Sequence, residues 1–351
     1  MPRIAAAAVL SLALTVMLVA CTEEEPPPAP EPEPVAEPEP KPEPPPPPPP
    51  VEVVMPLTGE RSEDTDLLAR PVLAVKIDNA PQARPQRGLN EADVVFVEPI
   101  EGATRFLALF HAGDPDEVGP VRSGRLIDAD LLVPYAPVLA MSGAYITVEQ
   151  ELVAALEVVY GEGIGAQWRR EPSRAAPHDL FVDAPSAWEA AAGDAPAADP
   201  VWTFAEQVPP EGTDTDRADL SYPFASTSGW TWEGRHWQRD EEGAPSEDDE
   251  GARLEAANVV VVDVLPLASE RRPIELIGEG TATVLRDGQR FPARWVKSGR
   301  DQHLDLLTPD GQPFPLAPGP TWVELLPTNG SATFMPETAP AEQNGVEPVE
   351  S

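Results

Sequence analysis

Sixteen of the 28 residues from 23 to 50 are proline, the last seven in one unbroken run, and eight of the rest are glutamate. Proline fixes φ and carries no backbone N–H, so this stretch can join neither a helix interior nor the middle of a sheet. With almost no apolar side chains it also has nothing to bury. It is expected to be polyproline II, stiff and solvated. At about 3.1 Å per residue it would span roughly 80 Å, which suits a spacer or wall-crossing stalk over residues 21–55. A proline-rich recognition ligand is the other use of such a tract. Any core must therefore be built beyond the stalk.

Ahead of the stalk, residues 1–20 read as an export signal. Arg3 is their only charge, and 4–19 is apolar apart from Ser11 and Thr15. The segment stops at Leu18-Val19-Ala20-Cys21, the lipobox pattern in which small residues admit the signal peptidase and the cysteine thiol is acylated. The alternative is an uncleaved membrane helix, for which the apolar stretch is short. Cys21 is the only cysteine. It is expected to attach lipid and hold the chain to the cell membrane on the extracytoplasmic face, and Thr22 beside it leaves outer-membrane delivery open. No thiol then remains for a disulfide, a cysteine metal site or a cysteine nucleophile. At the other end, residues 328–351 are acidic and poor in apolar side chains, and are expected to form a frayed, disordered tail.

The formal charge is −36, and eight tryptophans accompany 41% hydrophobic residues. That much apolar matter folds. About −25 of the charge falls on residues 56–327, which argues against nucleic acid or an anionic membrane surface as a partner, since either needs a clustered basic face.

Residues 56–195 alternate short apolar runs with polar turns. Strands are expected at 72–77, 94–98, 106–110 and 138–141, with helices at 125–132 and 148–160. In the second helix Val148, Leu152, Val153, Leu156 and Val159 fall on one face. After the proline- and alanine-rich stretch 185–200, residues 200–327 read as strands at 259–265, 274–278, 281–285, 291–297, 304–307 and 321–326. Asp287-Gly288 and Asp310-Gly311 supply hairpin turns. The expected fold is mixed α+β: an N-terminal α/β domain with a mixed sheet, then a β-rich C-terminal domain. Trp202, Trp230, Trp232, Trp237, Trp295 and Trp322 belong in or near its core, or form a sugar-binding platform.

The polar residues of the first half gather in loops beside its strands. Asp78 and Asn79 follow the first strand, Arg84 lies in the next loop, Glu98 and Glu101 follow the second strand, Thr104 and Arg105 precede the third, and Arg122, Ser123 and Arg125 lie further on. If the strands are neighbours, these loops meet at one sheet edge, where α/β proteins commonly place ligands.

Several stretches are similar to the YerB-like lipoproteins, a family named for a domain of unknown function. They are PLTG (56–59), VLAVKIDNAPQARPQRGLNEADVVFVEPIEGATRF (72–106), GPVRSGR (119–125), LIGEGTATVLRDG and GPTWVELLP. The resemblance runs in one order through nearly all of 56–327. It implies an N-terminal α/β part and a C-terminal β-rich part, and no established reaction. One departure is EGATRF, a residue shorter than the Glu-Gly-Gly-x-Thr-Arg-Phe associated with the family, so a tighter loop is expected between Glu101 and Thr104.

Four guanidinium groups in so acidic a chain suit a carboxylate or phosphate, with Ser123 and Thr104 as hydroxyl donors. The leading expectation is an anionic envelope ligand or an envelope protein bound at this cluster, with no cofactor. The alternative is a metal-assisted phosphotransferase or hydrolase acting on cell-wall or polysaccharide precursors, with Asp78, Glu98 and Glu101 around Mg²⁺ or Ca²⁺. A third reading has the β domain and acidic surface act as a scaffold. Equally open is that each arginine pairs internally with Asp78, Asp93, Glu98 or Asp128 and ties loops together. His178 beside Asp179 resembles half a catalytic pair, but no nucleophile elbow occurs. The four histidines have no zinc spacing, and the acidic run 240–250 lacks the spacing of a calcium loop.

Overall fold

A computed structural model of the protein describes residues 52–100, 102–160, 165–190, 198–224, 226–267 and 273–336. The signal segment, Cys21, nearly all of the stalk, Glu101 and residues 337–351 lie outside them.

In the N-terminal half the apolar runs form β1 (Leu73–Asp78), β2 (Val94–Ile100) and β3 (Ala103–Phe110). Ile100 pairs with Ala103 where β2 turns back into β3. Then come α1 (Leu126–Leu132), β4 (Val138–Met141) and α2 (Ile146–Ala155). The helix expected over 148–160 stops five residues early. Its end is instead strand β5 (Glu157–Tyr160), parallel to β4. Two adjacent valines, Val158 and Val159, favour extended backbone beside an open sheet edge. Val153, expected on the buried face, is exposed, while Val148, Leu152 and Leu156 are buried. β6 (Leu180–Asp183) and α3 (Ala184–Ala190) complete this half.

The C-terminal half supplies β7 (Arg217–Ser221), β8 (Thr227–Trp232), β9 (Trp237–Glu241), β10 (Asn258–Pro266), β11 (Gly278–Arg286), β12 (Gln289–Lys297), β13 (Thr321–Pro327) and β14 (Ser331–Met335). Asp287 and Gly288 turn β11 into β12 with φ of 50° and 71°, the positive pair that such a hairpin needs. β14 corrects the expectation of a frayed tail from 328: Ser331–Met335 is hydrogen-bonded along β7. At the other boundary, Val53–Val54 pairs with Arg61–Ser62, so ordered pairing begins inside the stretch read as stalk.

Among the described residues one mixed sheet of twelve strands takes members from both halves, in the order β12-β11-β10-β13-β2-β3-β1-β4-β5 with short strands at its margins. β13 is its centre. It runs parallel to β10 on one side, with Val323 opposite Val260, and parallel to β2 on the other, with Val323 opposite Phe96. The stretches 56–195 and 200–327 are thus hydrogen-bonded into one sheet. Strands central to such a sheet are covered on both faces, which is why β2 and β13 are buried along their whole length.

One face packs Leu107, Leu139 and Phe96 against Ile127 of α1 and Leu152 of α2. The other packs Val95, Phe106 and Trp322 against Trp230, Trp237 and Leu220 of a six-stranded sheet built on β7, β8, β9 and β14. Trp230 and Phe106 each meet the Trp322 ring edge-on at 5.3 Å. Trp202, Trp230, Trp237, Trp295 and Trp322 are buried, and Trp232 packs partly buried against the cluster of Trp230, Trp237 and Trp322. They are core, not a sugar platform.

Candidate functional site

The pleat brings three of the expected site residues into line. Asp78 on β1 is opposite Arg105 on β3, and Arg105 is opposite Glu98 on β2. Cross-strand partners share a face, here the one covered by α1. The 119–125 loop closes over them, with Arg122 N–H bonded to the Lys76 carbonyl and Ser142 N–H to the Arg122 carbonyl. Gly124 makes that approach possible. A Cβ there would lie 2.7 Å from both Leu152 Cδ1 and Met141 Sδ.

Within the line the charges separate. Glu98 belongs to the core: it pairs with Lys76, whose Nζ is also 2.7 Å from Asp128 Oδ1, and all three side chains are fully buried. Burial, and after it the neighbouring Asp128, raises the Glu98 carboxyl above its usual range against the pull of Lys76. Asp78 is a hub. Its Oδ2 is 2.7 Å from His178 Nδ1 and 3.1 Å from Arg122 Nε, while Oδ1 accepts from Ala80 N–H. His178 therefore pairs with Asp78, 100 residues away in the chain, and not with Asp179, which is held by Arg170. Its ring Nε2 has no hydrogen-bond partner among the described residues, and the side chain keeps 18% of its surface open.

Arg105 is 94% buried on a 6% residual exposure, and its hydrogen bond is from Nη1 to the Ser123 carbonyl at 2.7 Å. Its Nε is buried without a partner among the described residues. Arg125 Nη1 donates to the Gly124 carbonyl at 3.0 Å and, at 3.4 Å, to the same Ser123 carbonyl. Burial, then Arg125 and Arg122, pushes the Arg105 guanidinium down to about 10. Ser123 thus serves through its carbonyl.

The remaining members lie elsewhere. Asn79 Nδ2 donates to Thr104 Oγ1 at 2.8 Å. Arg84 leaves the cluster. It holds the Asn79 carbonyl at 2.7 Å but faces Glu241 and Glu242 across to the six-stranded sheet, in a cleft of about 280 Å³. Asp93 takes no arginine; its carboxylate accepts from the backbone N–H groups of His111, Ala112 and Gly113. Glu101 lies outside the described residues. Asp78 and Glu98, two of the three carboxylates expected around a cation, are turned to different positive partners, and among the described residues no three acidic or histidine side chains are placed to hold one.

A second buried network, absent from the sequence reading, lies between the two sheets. Glu324 on β13 accepts from Tyr222 Oη at 2.7 Å, Ser228 Oγ at 3.1 Å, Trp230 Nε1 at 2.9 Å and Arg239 Nη1 at 2.7 Å. Arg239 also pairs with Glu241 and lies over the Phe106, Trp230 and Trp322 rings at 5.1–5.4 Å.

Residues 57–197 match the N-terminal domain, and residues 218–323 the C-terminal domain, of DUF3048, described as a protein of unknown function. A Bacillus subtilis (strain 168) protein named as a candidate lipoprotein, YerB, is 26% identical over 302 residues, covering 80% of this chain and 88% of its own. The crystal structure of the YerB protein from Bacillus subtilis superposes with a TM-score of 0.71 at 23% identity, over 80% of this chain and 99% of that one.

Proposed function

The chain belongs to the DUF3048 family, and from that premise we propose that it is a lipid-anchored extracytoplasmic protein that binds an anionic envelope ligand at the edge of its main sheet. Arg105, Arg122 and the Asp78–His178 pair form the site, with Arg125 beside them. The anchor reading rests on the lipobox at Cys21 and on the relative named as a candidate lipoprotein.

One observation carries the reading. Arg105 is a buried guanidinium with an unpartnered Nε and like-charged neighbours, in a chain of net charge −36. A buried cation is normally matched by a carboxylate of its own, as Lys76 and Arg239 are here. Arg105 makes no ion pair among the described residues and donates to the Ser123 carbonyl, while Asp78 and Asp128 act on it only through space. An oxyanion would replace the missing partner through the planar fork of the guanidinium.

The test is thermal unfolding of the full-length protein in detergent against phosphate, pyrophosphate, citrate and soluble wall fragments. A ligand that binds only the folded state raises the midpoint in proportion to RT ln(1 + [L]/Kd). The reading expects a rise with at least one of these anions that Arg105→Met removes. Equal responses of the two proteins to all four would refute it and favour a scaffold.

A further inference from the structure

We infer that the protein has a second binding site, for a neutral sugar ring, in a cavity of about 350 Å³ between the loop that carries Asn90 and residues 252–257. The inference does not depend on the anion site at Arg105 and adds a ligand of a different class.

The apolar part of the lining is Ala252, Ala256, Ala257 and Pro320, and the hollow exists because these side chains are small. Ala256 and Ala257 are buried, and the Pro320 carbonyl accepts from the N–H groups of Ala257 and Asn258, which fixes that surface in place. The polar part is Asn90, His236, Arg253 and Glu255. Glu255 meets His236 Nδ1 at 3.1 Å and accepts from Gln238 Nε2 at 2.8 Å. Asn90 Nδ2 donates to Asp248 Oδ2 at 2.7 Å, and its Oδ1 accepts from the Glu255 N–H at 3.4 Å. Arg253 Nη2 donates to the Arg239 carbonyl at 2.6 Å and to Asp240 Oδ1 at 2.9 Å. Gln238, Asp248, Arg239 and Asp240 do not line the cavity, so they orient its polar groups from behind and lower the ordering cost of binding.

The capacity left over decides the ligand. The Glu255 carboxylate holds a proton on His236 Nδ1, so Nε2 of the neutral ring is an acceptor, and Glu255 has lone pairs beyond the two in use. Arg253 Nη1 makes no hydrogen bond among the described residues and, unlike Nε, is not closed to solvent. The Asn90 amide keeps a second N–H. Two acceptors and two donors therefore remain. The His236, Glu255 and Arg253 side chains are 37%, 40% and 26% exposed, so a ligand reaches them.

Charge narrows the choice further. Arg253 is met by Asp240 and Glu255 lies beside His236, which leaves the cavity near balance in a chain of net charge −36. An anion would confront Glu255, and an organic cation would confront Arg253. An apolar ligand would strip water from four polar groups and give them nothing in return. A hydroxyl both donates and accepts through one oxygen. A sugar ring carries such groups around its edge and C–H groups on its face, so its face covers Ala256, Ala257 and Pro320 while its edge meets the four polar side chains. The volume is at the small end of small-molecule sites, enough for one or two rings.

Ligand-observed saturation-transfer NMR tests this better than melting, because concentrated sugars raise the midpoint of any protein by exclusion from its surface. The full-length protein in a polyoxyethylene detergent, which has no sugar headgroup, is titrated with glucose, galactose and N-acetylglucosamine. At least one is expected to bind saturably with a Kd of about 1 mM or tighter, and at least about tenfold tighter than open-chain sorbitol. Ala252→Phe, at an exposed position of the lining, is expected to abolish this binding, and Glu255→Gln, which keeps the shape and removes the charge, to weaken it about tenfold. Arg105→Met is expected to leave it unchanged. Unfolding midpoints without sugar show that the variants fold. Failure of all three sugars to bind the unsubstituted protein saturably would overturn the inference without touching the anion site, and neither that result nor sorbitol binding as tightly depends on a variant. Binding that survives Ala252→Phe, or that Arg105→Met alone removes, would also overturn it by placing the sugar elsewhere.

Discussion

The Glu324 network and the Arg105 cluster are both buried charge on the same sheet, and they are built in opposite ways. Around Glu324 one carboxylate accepts from four donors, and its guanidinium partner has a second carboxylate and three aromatic faces besides. Arg239 keeps one buried Nε without a hydrogen-bond partner among the described residues, but its charge is met by two carboxylates. Around Arg105 no carboxylate makes an ion pair with the guanidinium among the described residues, and its one hydrogen bond goes to a backbone carbonyl. A buried cation met by carboxylates ties two sheets together, whereas one met only by a backbone carbonyl leaves its charge for an outside partner.

The largest effect is expected at the Glu324 network. Glu324→Ala strips Arg239 of one carboxylate and leaves Tyr222, Ser228 and Trp230 without their acceptor, and should cost about 3–5 kcal/mol, read as a fall in the urea midpoint at unchanged slope. A loss below about 1 kcal/mol would remove the contrast between the two regions.

The next expectation separates an orphan in a sealed core from one at a site. His111 has no exposed surface and both ring nitrogens are unpartnered among the described residues; burial, then Arg70, pushes its pKa down to about 4. The unfolded chain takes up that proton first, so this stability is full above about pH 6.5 and is lost as pH falls towards about 4, by about 2–3 kcal/mol at the limit. Asp93, raised to about 6 by burial, acts the other way: its contribution is present in acid and lost as pH rises through about 6. His111→Phe should therefore lose less stability than the unsubstituted protein on acidification, measured by denaturant unfolding at about pH 7 and about pH 4.5.

Arg105→Met is expected to change stability by no more than about 1 kcal/mol, because the substitution relieves a crowded cation as it removes a hydrogen bond. A loss like that at Glu324 would make Arg105 a structural tie after all. The smallest effect is expected at Arg84, whose Glu242 partner is exposed. Arg84→Ala should cost about 1 kcal/mol or less and leave anion binding unchanged, since the side chain faces the other cleft.

Much of the strand layout was legible because it is local. Val138–Met141 forms where its apolar run lies, and Asp287-Gly288 turns where a residue pair tolerates positive φ. The end of α2 was not, because the 148–160 pattern satisfies a helical face and only an open sheet edge beside β4 draws Glu157–Tyr160 into a strand. Arg105, Arg122 and Asp78 could be proposed as neighbours from their places after and before strands. His178 could not be paired correctly: its sequence neighbour Asp179 was the nearest acid on paper, and its true partner comes from another strand. Lys76 carried a signal that went unused, a lone charge at an inward position between Val75 and Ile77. Such a residue needs buried carboxylates, and Glu98 and Asp128 supply them.

By itself the sequence determined what depends on composition and short-range pattern: a proline-rich segment with almost no apolar side chains, a lipobox pattern ahead of it, a strand-rich folded portion, and an arginine-bearing group of loops. Tertiary structure decided which charges became core and which remained a site. That choice depends on strand register and on which loops close over an edge, and register between residues hundreds apart, such as Val323 and Phe96, is fixed only when the two halves pair into one sheet.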